Sequence, residues 1–336
     1  MLILGAGEVR AVLDTAQQDV LTAVRTAYEL HARGLTAVPH SVFLRFPDDD
    51  RNRIIALPAY LGGQHPVSGV KWVSSFPGNI SRGLDRASAA IILNSMESGA
   101  PEVFLEASAI SARRTAAGAA LAAATLSSST PDTGVTLLGC GLINFEVLTY
   151  LRTALPSIDT VTLYDLDATR AESFADKALA RWPELKIDVA QRAEDALTAH
   201  KLVCLATTAS TPHLGTEYCR PGTLVLHLSL RDLTAESVLS SVNIVDDADH
   251  VCRAATSLHL AEQQTGHRDF ITSSIGEILV SGKPYVRDED TLTVFSPFGL
   301  GCLDLAVADL VRREALARGL GASLPGFLPS GEQLFA

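Results

Sequence analysis

Cysteine is scarce and unpatterned in this sequence: Cys140, Cys204, Cys219, Cys252 and Cys302 are scattered, odd in number and free of any C-x-x-C pair. That argues against a disulfide framework or a thiolate zinc site and suits a reducing cytoplasm. No apolar run approaches the roughly 20 residues of a membrane helix. The amino end, MLILGAGEVR, has no basic stretch ahead of its short apolar run and has Glu8 behind it, so it does not read as a signal peptide. Basic excess is missing too. With 27 Lys and Arg against 38 Asp and Glu, the formal net charge is -11, which argues against a nucleic-acid binder or a polybasic membrane-surface protein. An anionic substrate must therefore be caught by a local basic pocket. The absence of a P-loop and of a G-x-S-x-G elbow removes the commonest kinase and hydrolase readings. Internal repeats and low-complexity tracts are also absent.

What is present is enough apolar material for two cores: 336 residues, 47% of them hydrophobic. Residues 14 to 34 carry Val20, Leu21, Val24, Ala27 and Tyr28 at helical spacing, with Asp14 before and Gly34 after as end signals. SVFLRF, RIIALPAYL, VSGVKWVSSF, ASAAIILN and EVFLEA follow as strand-like runs separated by turn-rich pieces, which predicts an antiparallel meander. PDDDRNR reads as a solvated hairpin tip. The texture changes at Ser111, where SARRTAAGAALAAATL predicts a long Ala-rich helix. Beyond it VTLLG, TVTLY, KIDV, LVCLA, TLVLHL and NIVDD alternate with helical patterns, which predicts a Rossmann doubly wound parallel sheet. The fold class is thus α/β, with an α+β first domain. LDLAVADLVRREALARGL near the end reads as one more amphipathic helix.

VTLLGCGLINFEVL sets Gly139-Cys140-Gly141 between a buried strand and a helix, the context a dinucleotide fingerprint requires. Glycine there allows a tight turn and lets backbone N–H groups of Gly141, Leu142, Ile143 and Asn144 approach a pyrophosphate at the positive helix end. Asn144 occupies the third glycine position. Asp165 ends the second strand, where a carboxylate can accept both adenosine-ribose hydroxyls and would repel a 2′-phosphate. Arg170, the nearest base, lies more than a helical turn further on. The expected cofactor is NAD. Gly5-Ala6-Gly7 matches the same pattern but leads to no second strand ending in an acid, so a plain turn is expected there.

Ligands of open α/β sheets lie beyond the carboxyl ends of the strands, which draws attention to Thr207-Thr208 and to Ser229-Leu230-Arg231-Asp232. Position alone leaves open whether Asp232 moves a proton or caps the helix near TAESVL. Arg45 and Lys71 interrupt apolar strands, which is costly unless each is paired, faces a pocket or faces solvent. Arg113 and Arg114 point about 100° apart on a helix, so one of them at most addresses a cleft. Asp246, Asp247, Asp249, His250 and Cys252 lack established metal-ligand spacing and read as a loop rim.

FLR at Arg45, GVKW at Lys71, ISARRTAAGAALAA and the GCG turn resemble the ornithine cyclodeaminase/mu-crystallin family over nearly the whole chain. GVKWVSS, DRASAAIILN, EASAISARRTAA, GCGLIN, LSLRD and NIVDD are most similar to the branch of N-(2-amino-2-carboxyethyl)-L-glutamate dehydrogenases, which make 2,3-diaminopropionate for siderophores and peptide antibiotics. The resemblance implies a homodimer. Residues 1–115, completed by 303–336, would form the substrate and dimerisation domain, and 116–302 the NAD-binding domain. It further implies that Arg45, Lys71 and Arg114 bind substrate carboxylates, that Lys71 also polarises the reacting centre, that Thr115 touches the pyrophosphate and that Asp232 is the catalytic aspartate. Thr207 and Ser229 would join the cofactor site. Other activities within reach are ornithine cyclodeamination, ketimine reduction and alanine dehydrogenation. A mu-crystallin-like nucleotide-dependent binding protein is the alternative from a different class.

Overall fold

The computed structural model describes residues 1–328. The last part of the expected 303–336 segment, residues 329–336, lies outside the described residues. The chain divides into two compact units, one of Met1–Arg114 with the chain from Gly301 onward, the other of Thr115–Leu300.

The first unit opens with β1 (Leu2–Leu4), α1 (Ala6–Leu13) and α2 (Gln17–Ala32). The apolar positions named from the sequence in α2 are all buried, and Gly34, at φ +70°, turns the chain after it. Gly5-Ala6-Gly7 is not a plain turn. Gly5 caps α1 directly after β1, and β1 pairs in parallel with a later strand of this unit. The meander follows: β2 (Val42–Phe46), β3 (Asp49–Leu61), β4 (Val67–Ser75), β5 (Ala87–Asn94) and β6 (Pro101–Glu106), antiparallel at every step. The hairpin tip is shorter than the acidic run suggested, because β3 already begins at Asp49. Together with two short edge strands, these six make an eight-stranded sheet ordered β1-β6-β5-β4-β3, with β2 also on β3.

Alternation gives this sheet two unlike faces. Ala59, Leu61, Val67, Lys71, Ile91, Leu93, Val103 and Leu105 are buried. The C-terminal helix Gly301–Ala317 packs on this side. Its first residue must be small, since a Cβ on Gly301 would lie 3.0 Å from Ala59 Cβ and 3.3 Å from the Leu57 carbonyl oxygen. The opposite face leaves Val42, Leu44, Trp72 and Phe104 exposed, Trp72 by 49% and Val42 by 64%.

Helix α3 (Ser108–Thr125) carries the chain into the second unit. There Ala116, Ala117, Ala119, Ala120 and Ala122 are fully enclosed, which only side chains this small allow on so many sides of one helix. Then come β7 (Gly134–Leu138), α4 (Leu142–Ala154), β8 (Thr160–Tyr164), α5 (Ala168–Arg181), β9 (Lys186–Val189), β10 (Leu202–Leu205), β11 (Leu224–His227), β12 (Val242–Val245), β13 (Ile271–Ser274) and β14 (Thr293–Ser296). All are parallel, in the order β9-β8-β7-β10-β11-β14-β12-β13. The six strands expected from the sequence are all present. β13 and β14 are additional, and β14 enters between β11 and β12. Chain order reverses between β7 and β10, so the crevice beyond the carboxyl ends of those two strands is where an open sheet of this kind receives a ligand.

Candidate functional site

In the second unit the glycine turn leaves β7 at Gly139, whose φ of +89° is the left-handed region. A Cβ there would meet the Ala206 carbonyl oxygen at 2.5 Å. Backbone conformation and close approach to the chain after β10 therefore both require glycine. Gly141 is different. At φ −103° it begins α4 without any side-chain cap, and its nearest neighbour for a Cβ is Arg170 Nη2 at 3.7 Å. Among the described residues only that flexible guanidinium comes within 4 Å of such a Cβ, at a helix start whose amides carry partial positive charge and suit an anionic ligand. Leu142 is 61% exposed at the first position of α4, and Ile143 is half-buried.

Asn144 faces inward instead. It is fully buried, and its Nδ2 donates to the carbonyls of Leu138 at 2.9 Å and Gly139 at 2.8 Å. Its side chain holds the turn from beneath, which explains an amide at the third glycine position. Asp165, one residue past β8, accepts from the Cys140 N–H at 2.7 Å and from the Asp167 N–H at 3.1 Å. Arg170 folds back along α5 until its Nε is 3.8 Å from Asp165, closer than its sequence distance suggested. Burial, with Asp165 beside it, pushes the Cys140 thiol pKa up to about 12, which disfavours the thiolate.

Beyond β10 and β11 the hydroxyls of Thr207 and Ser229 both donate to the Asp232 carboxylate, one to each oxygen. His227 Nε2 lies 3.3 Å from Asp232 Oδ2. Burial alone would raise the pKa of this carboxyl, but its bonds to His227, Ser229 and Thr207 outweigh burial and lower it, so Asp232 is held ionised. The capping reading from position does not hold. Asp232 does not cap the helix Ala235–Leu239, a role taken by Thr234 through the Ser237 N–H. Nor does it present a free base, since it is fully buried with both oxygens engaged. In this structure the carboxylate expected to be catalytic fixes the hydroxyls of Thr207 and Ser229. The loop around it is strained at Leu230, a non-glycine residue at φ +66°.

The acidic run after β12 separates into local contacts. Asp246 accepts the N–H groups of Phe298 at 2.8 Å and Gly299 at 2.7 Å, Asp247 accepts from the His250 N–H, and Asp249 pairs with Arg268.

In the first unit, Lys71 on β4 is 2% exposed. Its Nζ is 2.7 Å from Asp304 Oδ2 and 3.3 Å from Ser111 Oγ. Arg114 Nε reaches the other oxygen of Asp304 at 2.9 Å. Burial lowers the Lys71 pKa to about 8, with Asp304 raising it and Arg114 lowering it further. Arg113 turns away and pairs with Asp14. Arg45 is exposed on β2, its guanidinium carbon 5.7 Å from the centre of the Phe43 ring. Its cross-strand partner is Arg53, which pairs in turn with Ser75, four residues along β4 from Lys71. Opposed residues share a face, and so do residues an even number apart. Arg45, Arg53 and Lys71 therefore line one face of the sheet, with Arg45 displaced about 13 Å along the strands from Lys71. Arg53 belongs to the run PDDDRNR, read from the sequence as a solvated tip, whereas the structure sets it inside β3, and Asp304 went unnoticed in the sequence. The signal for Asp304 was an acid inside a helix whose first turns are otherwise wholly apolar.

A parallel sheet whose first strand passes through a required glycine into an uncapped helix, with a carboxylate closing on the turn from the second strand, is a dinucleotide-binding domain. The chain belongs to the ornithine cyclodeaminase/mu-crystallin family, whose model matches residues 4–319. It is 27% identical over 330 residues to the N-((2S)-2-amino-2-carboxyethyl)-L-glutamate dehydrogenase of Staphylococcus aureus strain NCTC 8325 / PS 47, covering 96% of this chain and 98% of that protein. An archaeal alanine dehydrogenase dimer solved with bound NAD superposes with a TM-score of 0.86 at 27% identity, covering 97% of this chain and 99% of the other. The Thermococcus litoralis Δ1-pyrroline-2-carboxylate reductase, solved with NADH and L-proline, shares the fold at a TM-score of 0.88 and 24% identity, covering 96% and 100%.

Proposed function

We propose that this protein carries out the NAD-dependent oxidative cleavage of N-(2-amino-2-carboxyethyl)-L-glutamate to L-2,3-diaminopropionate and 2-oxoglutarate, in the service of siderophore or peptide natural-product synthesis. At the coarser level it is an NAD-using oxidoreductase of amino-acid derivatives, like its relatives. The finer reading rests on one observation. Arg45, Arg53 and Lys71 share one sheet face, Arg114 meets Lys71 at Asp304, and that acid is already held by both Lys71 and Arg114. A tricarboxylate matches such a surface, because each desolvated carboxylate needs a charge-assisted partner. A diamino acid such as ornithine would instead want an uncommitted acid for its second ammonium.

Bound NAD supplies the acceptor for the hydride that leaves the glutamate α-carbon. Gly139, Gly141 and the first amides of α4 hold its diphosphate, Asp165 takes the ribose hydroxyls, and Thr115, Thr207 and Ser229 complete the cradle. Arg45 and Arg114 orient substrate carboxylates. Lys71, with its pKa near 8, can give a proton to the departing amine and recover one from the water that adds to the imine. Asp232 keeps the Thr207 and Ser229 hydroxyls in place.

The exposed Val42, Leu44, Trp72 and Phe104 support a homodimer formed through that sheet face. Five free thiols suit a reducing cytoplasm. No helix among the described residues is long and apolar enough to cross a membrane.

The test is to mix purified protein with NAD and the conjugate and follow NADH and 2-oxoglutarate together. Equal yields of the two support the reading. Ammonia from ornithine without net NADH would select cyclodeamination instead, and NADH formed with alanine alone would select alanine dehydrogenation.

A further inference from the structure

Asp304 is fully buried, yet no element of the proposed chemistry calls on it directly. Its position is set by the sheet. Gly301 seats the C-terminal helix on Ala59 and the Leu57 carbonyl, and Asp304, almost one helical turn later, returns to the same side. Lys71 is the cross-strand partner of Leu57, so the two contacts of the helix fall on neighbouring strands at one level. The carboxylate then spans two cations that come from different elements, Lys71 Nζ from β4 at 2.7 Å and Arg114 Nε from α3 at 2.9 Å.

The cluster of Lys71, Arg114 and Asp304 carries two positive charges and one negative. Without the acid, two cations would face each other in a dry site, and the weaker acid-base partner, the lysine, would give up its proton. The charged groups acting on Lys71 are Asp304 on the C-terminal helix and Arg114 on α3. Ser111 adds a hydroxyl, and the strand neighbours Leu57 and Ile91 are apolar.

We propose that Asp304 is the positioning residue of the reacting lysine: one oxygen fixes Lys71 Nζ, the other fixes Arg114, and its charge keeps the lysine in its ammonium form until substrate arrives. The inference deepens the functional reading above and rests on it for the word reacting, but the charge relationship can be measured without any substrate.

The chain has five lysines, and of these Lys177, Lys186, Lys201 and Lys283 are exposed. Protein labelled with 13C at lysine Cε should therefore show one resonance that titrates apart from the rest and disappears in Lys71→Met. In Asp304→Asn that titration should move to lower pH by about one unit or more, the usual effect of losing an opposite charge at this distance. In Arg114→Gln it should move to higher pH. The alkaline limb of kcat/KM should follow the resonance in both variants, and Asp304→Glu should restore part of the loss. A folded Asp304→Asn protein with the wild-type titration overturns the proposal. If Asp304→Asn does not fold, a Lys71 titration that fails to rise in Arg114→Gln does the same. Failure of the conjugate to turn over, with the lysine shifts present, would sink the substrate reading and leave Asp304 in its role.

Discussion

The Cys140 N–H donates to the Asp165 carboxylate at 2.7 Å, joining the middle of the glycine turn to the end of the second strand. This bond fixes the acid that the proposed cofactor site assigns to the adenosine ribose, and Arg170 sits 3.8 Å away on the same carboxylate.

Asp165 should therefore decide between NAD and NADP. In Asp165→Ser the repulsion of a 2′-phosphate is removed while Arg170 is released to meet it. NAD affinity should fall by about tenfold or more, the worth of one good charge-assisted hydrogen-bond pair, and NADP affinity should rise. Fluorescence titration with each nucleotide reads both changes without a substrate. NADP binding that stays negligible would show that the acid is not what excludes it.

The two glycines of the turn should fail in different ways. Gly139→Ala places a Cβ against the Ala206 carbonyl at a left-handed φ, and should cost about 1 to 3 kcal/mol of stability. Gly141→Ala meets only an ordinary contact with Arg170 Nη2, at 3.7 Å, and has ordinary backbone angles. Its thermal midpoint should stay near that of the unaltered protein while NAD affinity falls, because the methyl group enters the diphosphate's approach. Thermal melts with and without NAD separate the two cases. An equal loss of stability in both variants would refute the distinction.

Local pattern carried much of this molecule. The strand, glycine turn, helix and acid of the nucleotide site are contiguous in VTLLGCGLINFEVL and TVTLYDLD, and each element reports its own period. The meander was legible for the same reason. What stayed hidden depends on distant partners. Asp304 meets Arg114 across 190 positions, and no short window contains both. β13 and β14 are four-residue strands with only weak alternation, recruited by neighbours already in the sheet. Asp232 was visible as the one acid in its loop, but its burial follows from Thr207 and Ser229 closing over it, and a chain position does not reveal depth.

The bonds of Asp232 to His227, Ser229 and Thr207, which outweigh burial, set the sign of a pH effect. The folded-state pKa of Asp232 is lowered relative to the unfolded chain, so the carboxylate contributes stability at pH values above the ordinary carboxylate range. The contribution is lost as pH falls through the lowered value. Asp232→Asn keeps the shape but cannot accept from both hydroxyls, and should destabilise by about 2 to 4 kcal/mol at neutral pH. The gap between wild type and variant should narrow in acid. Urea midpoints at several pH values test this, and a gap that is independent of pH would mean that packing, not charge, is what the substitution removes.

Val42, Ala56, Trp72 and Ala90 lie opposite one another across four strands, and the neighbouring row holds Pro58, Val70, Ile92 and Phe104. An apolar surface of this breadth is unusual on a monomer. On the other side of the same strands Ala59, Lys71, Ile91, Leu93, Val103 and Leu105 are buried, so register and burial agree on which side is left over. Trp72→Glu should leave the fold of each subunit unchanged, since the ring has nearly half its surface in solvent in the single chain. It should nevertheless weaken self-association by about a hundredfold or more, as losing a central aromatic anchor commonly does. Sedimentation velocity over a concentration series distinguishes the outcomes. Unaltered protein that sediments as a monomer throughout, or a Trp72→Glu protein that remains a tight dimer, would show that the second copy does not cover this face.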